Sequence, residues 1–207
     1  MNRAAIRGSM KAMKKTTLEI SQFGRRLGTR LEGETARRVL LAALDDLPPD
    51  GQLVLSLRDL DVLSGSFADE AIGKICQLLT SGIHGDRTLV VASPSADLVE
   101  DLSDKLAQRK LALLCRVGGT KGTWRVLGCL ARPLVDTLEL LNERRSATTK
   151  ELAEALGIPP NACHNRVRRL VRLRLVREEK IDIAAPNTQY RFHAIVGGLT
   201  ARVHSVQ

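Results

Sequence analysis

Aromatic side chains are scarce in this 207-residue chain: Phe23, Phe67, Trp124, Tyr190 and Phe192 are the whole set. Readers of single-stranded nucleic acid stack bases on such rings, so that class is disfavoured from the start. No apolar run reaches the roughly 18 residues that a transmembrane helix needs, so no membrane partner is expected. The first fifteen residues are basic but hold no continuous apolar stretch and no cleavage signature. A secretory signal is therefore not expected, and a cytoplasmic location is. Cysteine is also sparse. Cys76, Cys115, Cys129 and Cys163 are widely scattered without a Cys-x-x-Cys pair, and His84, His164, His193 and His204 stand at no ligand spacing from them. Free thiols in a reducing compartment are the reading, with no disulfide framework, metal site or cofactor. No nucleophile–base pair or paired-carboxylate site stands out either, so catalytic residues and enzymatic activity are not expected.

What the chain has is positive charge. Lys and Arg number 32 against 23 Asp and Glu, a formal net charge of +9, and a 43% hydrophobic fraction is enough for packed cores. That charge is uneven: residues 1–33 carry +6, residues 34–129 carry −2, and residues 130–207 carry +5. A mildly acidic middle between two basic segments points to a division of labour. Within 158–177 stand Arg166, Arg168, Arg169, Arg172, Arg174 and Arg177 with no acidic residue among them. This is the strongest electrostatic feature of the chain.

Periodicity divides the chain into an α/β part and a second, smaller α+β part. Residues 1–15 read as a flexible basic arm, and 16–23 alternate as a half-buried strand does. The glycine- and arginine-rich stretch 24–33 reads as a loop, followed by an amphipathic helix over 34–44. After the breaker Pro48-Pro49-Asp50-Gly51, strands are predicted at 52–57, 88–92, 111–117 and 123–127, with 60–63 extending the first or turning away. Helices fall at 67–80 and 96–108, and Ser66 is the expected N-cap of the former, with Asp69 and Glu70 in its first turn. Alternation of this kind implies an α/β layer over 16–128. The segment 118–123, Gly-Gly-Thr-Lys-Gly-Thr, lacks phosphate-loop spacing and lies between two strands, so it reads as a hairpin turn.

A different pattern occupies 130–196. Leu134, Leu138 and Leu141 share one face of a helix over 132–145 that opens with Pro133. Thr148-x-x-Glu151 is a capping box for a short helix over 149–156, and a third helix spans 161–173 after Gly157-Ile158-Pro159-Pro160. Two strands, 175–183 and 189–195, close the segment as a ribbon, and 197–207 reads as a poorly ordered tail. Three short helices and a ribbon are the plan of a winged helix-turn-helix. The run from Thr149 to Val176, with its glycine turn, apolar anchor and Arg168-Arg169-Leu170 … Leu175-Val176 passage into the wing, resembles winged helices of bacterial transcriptional repressors. Two departures stand out: Pro159-Pro160 replaces the usual N-cap hydroxyl, and Arg174 stands where many such domains have glycine. With Leu152, Ala153, Leu156, Ile158, Cys163, Val167, Leu170 and Leu175 as core, Asn161, His164, Asn165 and Arg168 face outward to read the major groove of double-stranded DNA. Thr149, Lys150, Arg169 and Arg172 are placed for phosphates, and Lys180, Asn187, Gln189 and Arg191 on the wing for the minor groove or backbone.

The Ser66-Phe-Ala-Asp-Glu70 string after a buried strand resembles STAS-like bacterial domains, relatives of anti-sigma-factor antagonists. That resemblance spans about 16–127 and implies a four- or five-stranded mixed sheet with helices on one side and a regulatory protein partner. Ser64, Ser66, Asp69 and Glu70 are the regulatory candidates it implies. The antagonist pattern Asp-Ser-Ser-Gly is here Val62-Leu63-Ser64-Gly65-Ser66, which leaves the phosphorylated position unassigned, and Ser66 also reads as a simple cap. The whole points to a DNA-binding transcriptional regulator, a repressor and a homodimer, regulated through its STAS-like domain. The alternative is a protein-interaction module of a partner-switching system that never touches DNA.

Overall fold

The computed structural model describes residues 13–119, 122–182 and 188–197. Five strands build the main sheet: β1 (Lys15–Glu19), β3 (Gln52–Ser56), β5 (Thr88–Ser93), β6 (Ala112–Val117) and β7 (Thr123–Gly128). They lie in that spatial order, parallel up to β6 and antiparallel between β6 and β7. The sheet is thus mixed. Successive parallel strands that advance in one direction through right-handed crossovers bring their connecting helices to one face. Those helices are α1 (Arg30–Asp45), a helix over 65–81, and α4 (Glu100–Gln108). β5, the central strand, is buried along nearly its whole length, as a parallel strand covered on both faces must be.

Local chemistry explains the element ends, and several differ from the sequence-based expectation. β1 stops at Glu19, where its ladder with β3 ends, and Ile20–Phe23 tightens into a 3-10 turn instead of continuing as strand. Half of the expected loop at 24–33 is ordered differently. Arg26–Leu27 forms a short strand, β2, and α1 begins at Arg30 behind a full capping box between Thr29 and Glu32. Residues 60–63 turn away from β3: Val62–Leu63 (β4) pairs in parallel with β2. The third helix starts as Asp97–Val99 in 3-10 form before α4.

The 65–81 helix carries the largest correction. Ser64, not Ser66, is its N-cap: the Ser64 hydroxyl accepts from the Phe67 N–H at 3.3 Å and donates to the Gly28 carbonyl at 2.7 Å. Winding is α over Gly65–Ala68 (α2), widens to π over Asp69–Gly73, and returns to α over Lys74–Ser81 (α3). Asp69 and Glu70 are therefore past the first turn and buried, not solvent-facing partners of the helix dipole.

The C-terminal unit holds α5 (Arg132–Arg144), β8 (Ser146–Thr148), α6 (Thr149–Leu156), α7 (Pro160–Arg172), β9 (Val176–Asp182) and β10 (Thr188–Ala194). Its sheet has three strands in the order β8-β10-β9, one more than the expected ribbon. The added strand, β8, is only three residues long: Ser146, Ala147 and Thr148 pair against His193, Phe192 and Arg191. The Thr148–Glu151 capping box forms as expected. Leu152, Ala153, Cys163, Val167, Leu170 and Leu175 are buried, while Leu156 and Ile158 are half-buried. Most of the expected basic arm (residues 1–12) and tail (198–207) lies outside the described residues. Among those described, no helix is long and apolar enough to cross a membrane.

One close contact sets the packing of α1 on the 65–81 helix. A Cβ on Gly33 would stand 2.9 Å from the Glu70 Cβ and 3.0 Å from the Phe67 carbonyl oxygen. Replacement of a helical glycine by alanine ordinarily stabilises, but here the added methyl has no room. Gly33→Ala is expected to destabilise the chain by about 1–3 kcal/mol in a denaturant titration; a stabilised variant would contradict this packing.

Candidate nucleic-acid interface

α7 owes its orientation to its buried edge. Cys163, Val167, Leu170 and Val171 point into the core, which leaves Asn161, His164, Asn165, Arg168, Arg169 and Arg172 exposed. The start of the helix has no side-chain cap, because Pro159 stands at the N-cap and Pro160 at the first helical position. Its end is closed by the Leu175 N–H on the Leu170 carbonyl (3.1 Å) and the Arg174 N–H on the Val171 carbonyl (2.9 Å). That motif puts the residue at position 174 in the left-handed region (φ 60°) where glycine is usual. The sequence-level departure at Arg174 is therefore a strained backbone.

The strained arginine has work to do elsewhere. Arg174 Nε donates to the Leu79 carbonyl at 3.0 Å and Nη1 meets Asp86 at 2.7 Å, both on the α/β layer. Two more links join the units: Arg177 to Asp50 at 3.1 Å, and the Gln52 amide to the Ile195 carbonyl at 3.1 Å. Two of the six arginines of 158–177 thus hold the C-terminal unit in place. A third, Arg168, is ion-paired with Glu178 on β9. No spacing in the sequence announces these pairs, whose partners lie 88, 127 and 143 positions apart along the chain for the three inter-unit links.

The other expected contact residues are more dispersed. Lys150 is exposed and Thr149 half-buried at the start of α6. Lys180 is exposed on β9 and Gln189 half-buried on β10. Arg191 lies beside β8 with a guanidinium nitrogen 4.0 Å from Glu151. Asn187 lies outside the described residues. An open cleft of about 590 Å³ runs between the units, with Asn165, Arg168, Arg172 and Arg174 on one wall and Thr80 and Asp86 on the other.

Of the regulatory candidates of the α/β layer, Asp69 and Glu70 form an ion-pair cluster, while Ser66 is exposed in the first turn of α2. Arg109 grips Asp69 through Nε (2.6 Å) and Nη2 (3.1 Å), while Glu70 meets Lys74 at 2.6 Å, Arg37 at 3.3 Å and Arg30 at 3.7 Å. The Arg109 hydrogen bonds hold the Asp69 carboxyl below its ordinary range, and the Lys74 hydrogen bond does the same for Glu70. Ser64 is committed as a cap. Burial pushes the Cys76 and Cys115 thiols up to about 12, and burial lowers the His193 pKa against the opposing pull of Glu179 at 2.7 Å.

A family model described as winged helix-turn-helix DNA-binding matches residues 135–177, from within α5 to the start of β9. No curated protein and no solved structure matches the chain. The match and the three-helix, three-stranded fold agree on a C-terminal winged helix-turn-helix.

A carboxyl with a depressed pKa stabilises the folded state above its unfolded pKa of about 4 and loses that contribution as pH falls through the folded value. The stability gap between wild type and Asp69→Asn is accordingly expected to be widest near pH 7 and to shrink as pH drops below about 5. Denaturant titrations across that range read it. A gap that grows on acidification would contradict the pairing.

Proposed function

We propose that the chain is a DNA-binding transcriptional regulator that represses by occupying its site on double-stranded DNA. The observation that carries this reading is the exposed polar face of α7 within a winged helix-turn-helix. Asn161 and Asn165 offer amides suited to adenine, Arg168 a guanidinium suited to guanine, and His164 a further donor on the same face. Arg169, Arg172, Thr149 and Lys150 supply phosphate contacts, and Lys180, Asn187, Gln189 and Arg191 extend the contact along the wing. Arg168 must exchange Glu178 for DNA. Glu178 therefore acts as a competitor that DNA displaces.

One recognition helix reads few base pairs, so a homodimer on a two-fold site is part of the proposal. The α/β layer, as a STAS-like domain, supplies regulation through a protein partner or through self-association. Its mixed five-stranded sheet with a serine-capped helix after β4 supports that assignment. In this reading the action is in the cytoplasm or on the nucleoid, and no chemistry is catalysed.

Measured against salt, log Kobs for duplex binding is expected to fall linearly. The Arg168→Ala/Arg172→Ala double variant is expected to reduce the slope by about 1, through the lost Arg172 phosphate contact, and to relax base preference through the loss of Arg168. A salt-insensitive complex with a protein and no duplex shift would instead support the partner-switching module. Glu178→Gln is expected to tighten duplex binding by releasing Arg168, and unchanged or weaker binding by gel shift would remove Glu178 from the account.

A further inference from the structure

A second cleft, of about 410 Å³, opens where the end of α7 meets the ends of α3 and α4. Its walls include Gln77, Thr80, Arg109, Lys110, Arg169 and Arg172, with no carboxylate in the lining. Most cations on this side of the molecule are spoken for: Arg168 by Glu178, Arg174 by Asp86, Lys74 by Glu70, and Arg109 by Asp69 and Gln77. The side chains of Lys110, Arg169 and Arg172 have no hydrogen-bond or ion-pair partner among the described residues. Three unneutralised cations therefore converge on one cleft, two from the winged helix and one from the α/β layer. Gln77 receives Arg109 Nη1 on its side-chain oxygen at 2.8 Å, which leaves its amide NH2 as a further donor.

The position of Lys110 is itself unusual. α4 closes with the Leu111 N–H on the Leu106 carbonyl (2.9 Å) and the Lys110 N–H on the Ala107 carbonyl (2.9 Å), which forces Lys110 to φ 56°. Glycine is the ordinary occupant of that place, and lysine there is strained by roughly 1 kcal/mol. Arg174 is held in the same kind of helix-end motif, and its side chain makes the inter-unit link. Lys110 has no such partner among the described residues, although its backbone is fixed at the cleft rim.

We infer that this cleft binds a phosphate group, shared between the α/β layer and the winged helix. Several cationic and amide donors arriving from different elements suit a tetrahedral oxyanion. The inference deepens the DNA-binding reading: the phosphate is one of the duplex backbone running past the end of α7, or a free phosphate compound of the same chemistry. In either case the α/β layer is part of the binding surface.

The test uses the full chain and the Lys110→Gly variant, which removes the charge while relieving the backbone; Lys110→Asn, also tolerant of this conformation, is the second variant. With a duplex long enough to run past α7, both variants are expected to reduce the salt slope of log Kobs by about 1, with Tm unchanged or higher. If the slope is unchanged but inorganic pyrophosphate raises Tm of the wild type and not of the variants, the bound phosphate is a free one and the site stands. If neither slope nor pyrophosphate response separates variants from wild type, the inference is overturned. If the wild type fails to bind duplex at all, the DNA-binding reading falls, and the pyrophosphate arm alone decides the site.

Discussion

The two units of this molecule share one apolar core, and the foremost polar link that fixes one against the other is a single guanidinium. Arg174 leaves α7 in a left-handed backbone conformation and reaches Leu79 and Asp86 at the end of α3. Its strain, on the order of 1–2 kcal/mol, is offset by two charge-assisted hydrogen bonds, one to the part-buried Leu79 carbonyl and one to the exposed Asp86 carboxylate. With Arg177–Asp50 and Gln52–Ile195, this contact sets the angle at which the winged helix sits on the sheet layer. Both clefts beside α7 lie along that contact between the units.

The same link reorganises the meaning of the basic charge. Six arginines in 158–177 look like a uniform nucleic-acid footprint in the sequence. In three dimensions they divide. Arg174 and Arg177 fasten the two units, Arg168 is held by Glu178, Arg166 is half-buried, and Arg169 and Arg172, without a side-chain partner among the described residues, line a cleft. The acidic residues of the middle segment divide too. Asp50 and Asp86 receive the winged helix, whereas Asp69 and Glu70 knit α1, α3 and the end of α4 around the π-widened turn. An Asp-Glu pair that the sequence places in a first turn is thus buried and ion-paired inside the α/β layer.

Much of the fold was legible because its determinants are local. Thr148-x-x-Glu151 opens α6, Pro160 starts α7, and short continuous apolar runs mark β3, β5 and β6. The Thr29-x-x-Glu32 box was equally local, yet the surrounding glycines and arginines read as loop; weighing the cap above composition finds the true start of α1. Ser64 and Ser66 are both plausible caps by type, and what separates them is that the Phe67 N–H donates to the Ser64 hydroxyl, which in turn is anchored on the Gly28 carbonyl. β8 has no signature in the sequence because three residues carry no periodicity. The polar face of α7 followed from its core positions, whereas the place of Lys110 beside α7 depends on a tertiary contact that no spacing encodes.

The central claim is that the face of α7, held in this orientation, reads base sequence in duplex DNA. Selection of bound duplexes from a random-sequence pool by the full chain, followed by sequencing, tests it most directly. An enriched motif is expected, with half-sites about 10 base pairs apart in a dimer. A recovered pool indistinguishable from the input would contradict it.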